Sequence, residues 1–493
     1  MFFSILGERL WLLKDMRGQP GRGAGSPGIA LSGGTPLTTG APTVEASIPE
    51  RRGVNMNRRV RHRPSVLSVV TLFTCAAFIA AVTTGVEAPG TAAAQGQVSG
   101  RSVTFSPTGG LAAGAGSTTQ TSTPLAWSEW GYNAGGDFFA GGDTTISSSN
   151  IAKMAEAWTA GDHCGPFDGG IGPTDNGISP VIGQNVVYYS TCDTVVAASV
   201  ATGDTLWSAS LSPFTAPALA GGRVFVGTTS GQLVALSAAT GATLWSTSLA
   251  SAQMSDPTLD GSSVVVSDGP SVYKVSQSTG AVIWTFTCSA SGLPIGQTLC
   301  NTFADVRDLS APVTASSDVY LASTGFTFEL TAKGQLGWYT PNSENTYFSN
   351  PIVVGGIVYS GSESETAASE LQAFNASSGV VIWQQDNAWS GGDIALANGT
   401  IYDTNGYSVE AWNASTGAPI WNAGGCCSSG ISAVGNLVFY NWGALNAATG
   451  ATLWTNPVGC ATPVTIFKGY LFCGAGNPEY LVAFHLTKKR STP

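Results

Sequence analysis

Cys426 and Cys427 are neighbours in the chain, and a disulfide between them would close almost no loop. It would gain little of the chain entropy that makes most disulfides stabilising, so its use would be local shape or contact. Two cysteines paired elsewhere remain the alternative. Trp389 and Trp442 fall in loops where either indole could offer a stacking face to a ligand. Asp256 and Asn350, with Asp308 and Asp393, occur where the chain turns into successive short strands. Their oxygens together could draw a hard cation, although such turns favour Asp and Asn in any case. His163, with Asp162, Cys164 and Asp168, could bind a metal or, more simply, be a solvated loop histidine. The chain contains no Cys-x-x-Cys-His, phosphate-loop, nucleophilic-serine or His-Glu-x-x-His phrase.

These residues are positioned by a repeat. Its clearest copies run Ala235-x-Ser237-x-x-Thr240-Gly241-x-x-x-Trp245, Ala411-x-Asn413-x-x-Thr416-Gly417-x-x-x-Trp421 and Ala444-x-Asn446-x-x-Thr449-Gly450-x-x-x-Trp454. Looser copies end at Trp207, Trp284 and Trp383, and one shortened by a residue ends at Trp338. A period of about 33 to 54 residues with four short strands per unit predicts propeller blades. In the second unit, Gly221-Gly222 and Ser230-Gly231 separate alternating strands, and Ser237 to Gly241 forms the tight turn before the strand bearing Trp245. Seven units are complete. The segment after Trp454 supplies three strands and no fourth, whereas Trp158 sits in a strand with no blade before it. Pairing the two predicts an all-β, eight-bladed β-propeller of four-stranded blades, closed by an N-terminal strand against the C-terminal blade. Trp158, Trp207, Trp245, Trp284, Trp338, Trp383, Trp421 and Trp454 are then expected to dock between neighbouring blades rather than to form a ligand platform.

With these residues in view, the chain resembles the pyrroloquinoline-quinone (PQQ) repeat propellers, the quinoprotein alcohol dehydrogenase-like superfamily. Their phrase is Ala-x-Asp-x-x-Thr-Gly-x-x-x-Trp, and the lead-in Trp127-Ser-Glu-Trp130-Gly131 is similar to their usual opening. The likeness covers roughly residues 124–487. The Asp of the phrase is Asn or Ser here, at Asn375, Asn413, Asn446, Ser199, Ser237 and Ser276. The superfamily contains noncatalytic scaffolds, such as the outer-membrane assembly lipoprotein, as well as dehydrogenases. In those enzymes an adjacent Cys-Cys disulfide lies against the PQQ ring, and Cys426-Cys427 occupies a comparable place between blades. The enzymes carry the pair in an early blade, and this chain carries it in the seventh unit. Their Ca²⁺ ligands and catalytic Asp find no matching positions. Without a haem phrase, quinone chemistry would also need a separate electron acceptor. The resemblance therefore implies a secreted scaffold that binds a protein, polymer or small ligand through its loop-bearing face. Its alternative is a dehydrogenase of alcohols or sugars in which Ca²⁺ polarises PQQ.

Composition fits an exported all-β chain. Charged residues are 10% of the total, well below the roughly 25% of ordinary soluble domains, and 63 are glycine. Residues 56–94 combine a basic stretch, an apolar run and Ala92-Ala93-Ala94, the pattern of a secretory signal. Residues 1–55 read as lying upstream of a natural start at Met56, and 95–123 as a Gly, Ser and Thr-rich linker. From residue 95 the chain carries 25 acidic and 10 basic residues, a net charge of −15, which disfavours nucleic acid. No membrane span is expected, and a monomer is. The eight cysteines after Cys75 suggest disulfides, with Cys164–Cys192, Cys288–Cys300 and Cys460–Cys473 as structural pairs. Ser362 to Glu370 forms an acidic stretch suited to contact.

Overall fold

The computed structural model describes residues 126–161, 179–249, 254–288, 309–323, 325–341, 347–363, 369–386, 393–404, 408–424, 430–475 and 480–487. They form eight antiparallel sheets. Blades 1 to 7 are chain segments in order, with first strands Val181–Gly183, Ala218–Ala220, Thr258–Asp260, Val313–Ala315, Ile352–Val354, Ala395–Ala397 and Ser432–Val434. Blade 5 carries an extra two-residue strand, Tyr347–Phe348. Blade 8 takes Thr465–Phe467, Tyr470–Ala475 and Tyr480–Leu486 from the C-terminal side and Met154–Ala160 from the other end. The last two strands pair from Met154 with Leu486 to Ala160 with Leu481, so the expected closure of the ring is observed. Among the described residues no helix is long and apolar enough to cross a membrane.

One row of four residues recurs across every blade. In blade 2 it reads Ala218, Phe225, Ala235, Trp245, and in blade 6 Ala395, Tyr402, Ala411, Trp421. The alanine leaves room for the aromatic of the second strand to meet the tryptophan of the fourth, at ring-centroid distances of 5.9 Å and 5.8 Å in these two blades. In all eight blades the register slips at the residue just before the tryptophan. That β-bulge bends the outer strand and turns the indole toward the next blade.

The indole then meets the turn that the next copy of the repeat supplies. Trp207 Nε1 donates to Ala238 O at 2.9 Å, and Trp158, Trp245, Trp284, Trp338, Trp383 and Trp421 donate to the equivalent carbonyls of the blades that follow them. The turn glycine lies under the ring: a Cβ on Gly241, which has φ +71, would stand 2.6 Å from Trp207. Asn413 Oδ1 accepts the N–H groups of Ser415 and Thr416 at 3.0 and 3.1 Å, so an amide does the turn-capping work available to the family's carboxylate, without its charge. Trp454 is the exception, because blade 8 has no third-to-fourth turn; it packs edge-on against Phe484 at 5.4 Å.

Candidate functional site

In an antiparallel meander, the loops that join blades and those between second and third strands emerge on one face. The axis beneath this upper face is filled by the chain itself. Residues 127–143 wind around the axis and meet the blades in order. Ile182 N–H donates to Trp127 O (2.7 Å), Leu219 N–H to Ser128 O (2.6 Å) and Leu259 N–H to the Glu129 carboxylate (2.6 Å). Thr314, Val353, Leu396 and Ala433 donate likewise to Ala134, Gly135, Asp137 and Phe138. Each of these seven donors is the middle residue of a first strand. Asp143 Oδ2 reaches Gly469 N–H of blade 8 at 3.4 Å. The strap runs so close that a Cβ on Gly135 would lie 2.5 Å from Val353 O. A propeller's inner strands otherwise present these N–H groups to an open channel, and the strap satisfies them.

The strap's acids are shaped by this burial. Glu129 is buried, and desolvation, partly offset by the Leu259 hydrogen bond, lifts its carboxyl to about 8. Asp137 rises to about 6 for the same first reason, against hydrogen bonds from Asn133 and Phe139. Above the strap at the seam, Trp127, Trp130 and Phe138 meet Ser179, Pro180, Pro463 and Thr465 around a crevice with room for about one water molecule. Trp130 Nε1 and Ser179 Oγ are buried without a protein partner, which suits such a water.

Asp256 leads into blade 3 and Asn350 into blade 5, and the structure does not bring them together. Asp256 Oδ1 accepts Ala216 N–H of blade 2 at 2.7 Å; Asn350 Oδ1 accepts Ala311 N–H of blade 4 at 2.9 Å, and its Nδ2 reaches Asp393 at 3.4 Å. Each therefore clasps the blade before its own. Ca²⁺ takes six to eight oxygens, and among the described residues no three His, Cys, Asp or Glu side chains converge. The described residues thus do not fit the ligand set that a PQQ and Ca²⁺ site requires. Cys426, Cys427, Trp389, His163, Asp308 and the segments 1–55, 56–94 and 95–123 lie outside the described residues.

Trp442 is 46% exposed on the upper face of blade 7. Its ring rests on Gly459, where a Cβ would come within 2.9 Å of the indole. The loop beneath is held by Asn456 N–H to Trp442 O and Cys460 N–H to Asn441 O, both 2.8 Å, and by the Cys460–Cys473 disulfide. Cys192 and Cys288 are also disulfide-bonded, and their expected partners Cys164 and Cys300 lie outside the described residues.

A family model described as outer membrane protein assembly factor BamB matches residues 191–423. No curated protein sequence matches the chain. Among solved structures, BamB from Moraxella catarrhalis is similar at 16% identity and a TM-score of 0.53, over 67% of this chain and 99% of that one. Quinohemoprotein alcohol dehydrogenase from Comamonas testosteroni aligns at 14% identity and a TM-score of 0.55, over 75% and 82%. A europium-containing methanol dehydrogenase aligns at 14% and 0.56, over 74% and 98%. With the repeat phrase, the row shared by its eight blades and seven tryptophans docked on the blades that follow them, the chain is a PQQ-like repeat β-propeller.

Proposed function

We propose that this propeller is a secreted recognition scaffold that binds a partner through its upper face, with Trp442 as the anchor. The observation that carries the reading is the way Trp442 is presented: nearly half exposed, yet backed by Gly459 and by a disulfide-braced loop. A rigid indole loses little entropy on binding and anchors an interface well. From Ala411 to Phe467 the chain contains no Asp, Glu, Lys, Arg or His, so the surface around Trp442 suits an uncharged part of a protein, polymer or small ligand. The likeness to BamB, whose family model carries the name of an assembly factor, supports an interaction role.

The test compares the purified protein with Trp442→Ala for binding to intact producing cells and to their isolated envelope polymers. Saturable binding that falls at least about tenfold in the variant, with an unchanged thermal midpoint, is expected; tenfold corresponds to about 1.4 kcal/mol of lost anchor contact. Equal binding by both proteins would remove Trp442 from the site. Dye reduction with an alcohol or aldose that requires added PQQ and Ca²⁺ would overturn the scaffold reading in favour of the dehydrogenase.

A further inference from the structure

The shared register of the blades allows one position to be compared with its equivalents in the same chain. Next to the recurring row, one residue further along the second strand, lies a cross-strand pair. Because side chains alternate across a strand, it faces the preceding blade. The pair is Tyr189 with Val196 in blade 1, Val226 with Val234 in blade 2, Val266 with Tyr273 in blade 3 and Leu321 with Phe328 in blade 4. Blade 5 has the neutral polar pair Ser360 and Gln372, blade 7 Tyr440 and Gly443, and blade 8 Cys473 and Val482. Blade 6 alone puts two carboxyls there, Asp403 and Glu410.

Both are buried, Asp403 completely. Glu410 Oε1 accepts Asn422 Nδ2 at 2.6 Å and Ser408 Oγ at 3.4 Å, donors that suit an ionised carboxylate. Asp403 Oδ2 accepts Trp412 Nε1 at 3.2 Å, and its Oδ1 is buried with no partner. The charge that acts on the Asp403 carboxyl is that of Glu410. Between Lys333 and Lys468 the chain has eight acidic residues and no Lys, Arg or His. Two adjacent carboxyls taken out of water resist being ionised together, because burial and each other's charge both favour holding a proton.

We infer that Asp403 and Glu410 form a proton-binding site, in which one proton held at Asp403 Oδ1 keeps blade 6 seated against blade 5 and its loss loosens that contact. Burial first, and the charge of Glu410 second, push the Asp403 carboxyl up to about 8, against the Trp412 hydrogen bond. The groups packed around the pair do not compete for this role. Asn422 does not titrate, and the first strand of blade 6, Ala395–Ala397, has no charge. On the facing side of blade 5, Leu371 and Ala373 are apolar, and burial pushes the Tyr359 phenol up so that it stays neutral. Glu370 and Asp386 lie in the row that blade 5 turns toward blade 4.

Between the ordinary Asp value of 3.8 and the folded value of about 8, each pH unit should favour the open, ionised form by up to about tenfold, and the dependence should level off above it. The experiment follows hydrogen exchange in the full chain at Thr400–Thr404 and Ser408–Asn413, from about pH 5 up to and beyond pH 8, with Arg223–Gly227 and Gln232–Ser237 of blade 2 as the internal reference. Protection of the blade 6 strands should fall selectively as pH rises in the wild type and stay level in Asp403→Asn. The same sample should show a protonated-carboxyl stretch in the infrared difference between wild type and Asp403→Asn below pH 8. If Asp403→Asn does not fold, Asp403→Val with Glu410→Val installs the pair that blade 2 already carries and serves the same comparison. An identical pH response in wild type and variants, or no carboxyl band below pH 8, would overturn the inference.

Discussion

Gly241 and Gly222 lie in the same blade with nearly the same backbone, φ +71 and +72, and differ in what stands over them. A Cβ on Gly222 would meet nothing within 4 Å, whereas one on Gly241 would stand 2.6 Å from the Trp207 ring. Alanine at either position carries the penalty of a left-handed backbone, about 1–2 kcal/mol. Gly222→Ala should cost that and no more. Gly241→Ala must also push Trp207 off the turn. The indole then gives up its bond to Ala238 O, about 1 kcal/mol, and forces repacking at about 1–3 kcal/mol. The excess of Gly241→Ala over Gly222→Ala is therefore about 2–4 kcal/mol, below the about 3–5 kcal/mol expected for Trp207→Ala itself. Urea denaturation of the two variants, and of both again in a Trp207→Ala background, measures the excess and the coupling. Equal costs in the native background, or an excess that survives loss of the indole, would refute the docking argument.

Two further outcomes concern acids whose folded pKa lies above the unfolded value, so that the stability they support is present at low pH and lost as pH rises through the folded pKa. For Glu129 that loss runs from pH 4.5 to about pH 8; Glu129→Gln should flatten it in a thermal-midpoint series, while Glu129→Ala should cost about 1–3 kcal/mol at the acid end by orphaning Leu259 N–H, a cost that shrinks as pH rises. Glu329 holds the place that most blades give to alanine, and burial first, then Asp318, raises it to about 7. Glu329→Ala should gain thermal midpoint over wild type as pH climbs from 4.5 to about 7, and a constant difference across that range would count against the assignment.

The ring was legible because its determinants are side chains at fixed spacing. The Thr-Gly turn and the tryptophan four residues later are the two halves of each blade contact, and the unpaired Trp158 strand pointed to the seam. The strap was not legible. Its bonds to the inner strands come almost wholly from backbone carbonyls, which leave no residue-type signature, and only the close-packed Gly131, Gly135 and Gly136 hint at a chain pressed against other backbone. The sequence places Asp256 and Asn350 where the chain turns into first strands, but only the geometry shows each clasping the preceding blade. Asp403 and Glu410 escaped notice because alternation along a strand marks a face as buried without revealing that its occupant is charged. The comparison that exposes them needs the register of all eight blades.

The strap also sets a clock on folding. Residues 127–138 leave the ribosome before any blade, yet their acceptors are matched to donors at 182, 219, 259, 314, 353, 396 and 433, in that order. A nascent chain can complete the winding only after nearly all of its length has been made. Successive blades can form early, but the axis stays open until the seventh has arrived, and a chain interrupted in any blade leaves a definite stretch of strap without donors. Such a molecule reports its own incompleteness as exposed, unpaired backbone at one end, where a protease or a chaperone reading extended segments would find it.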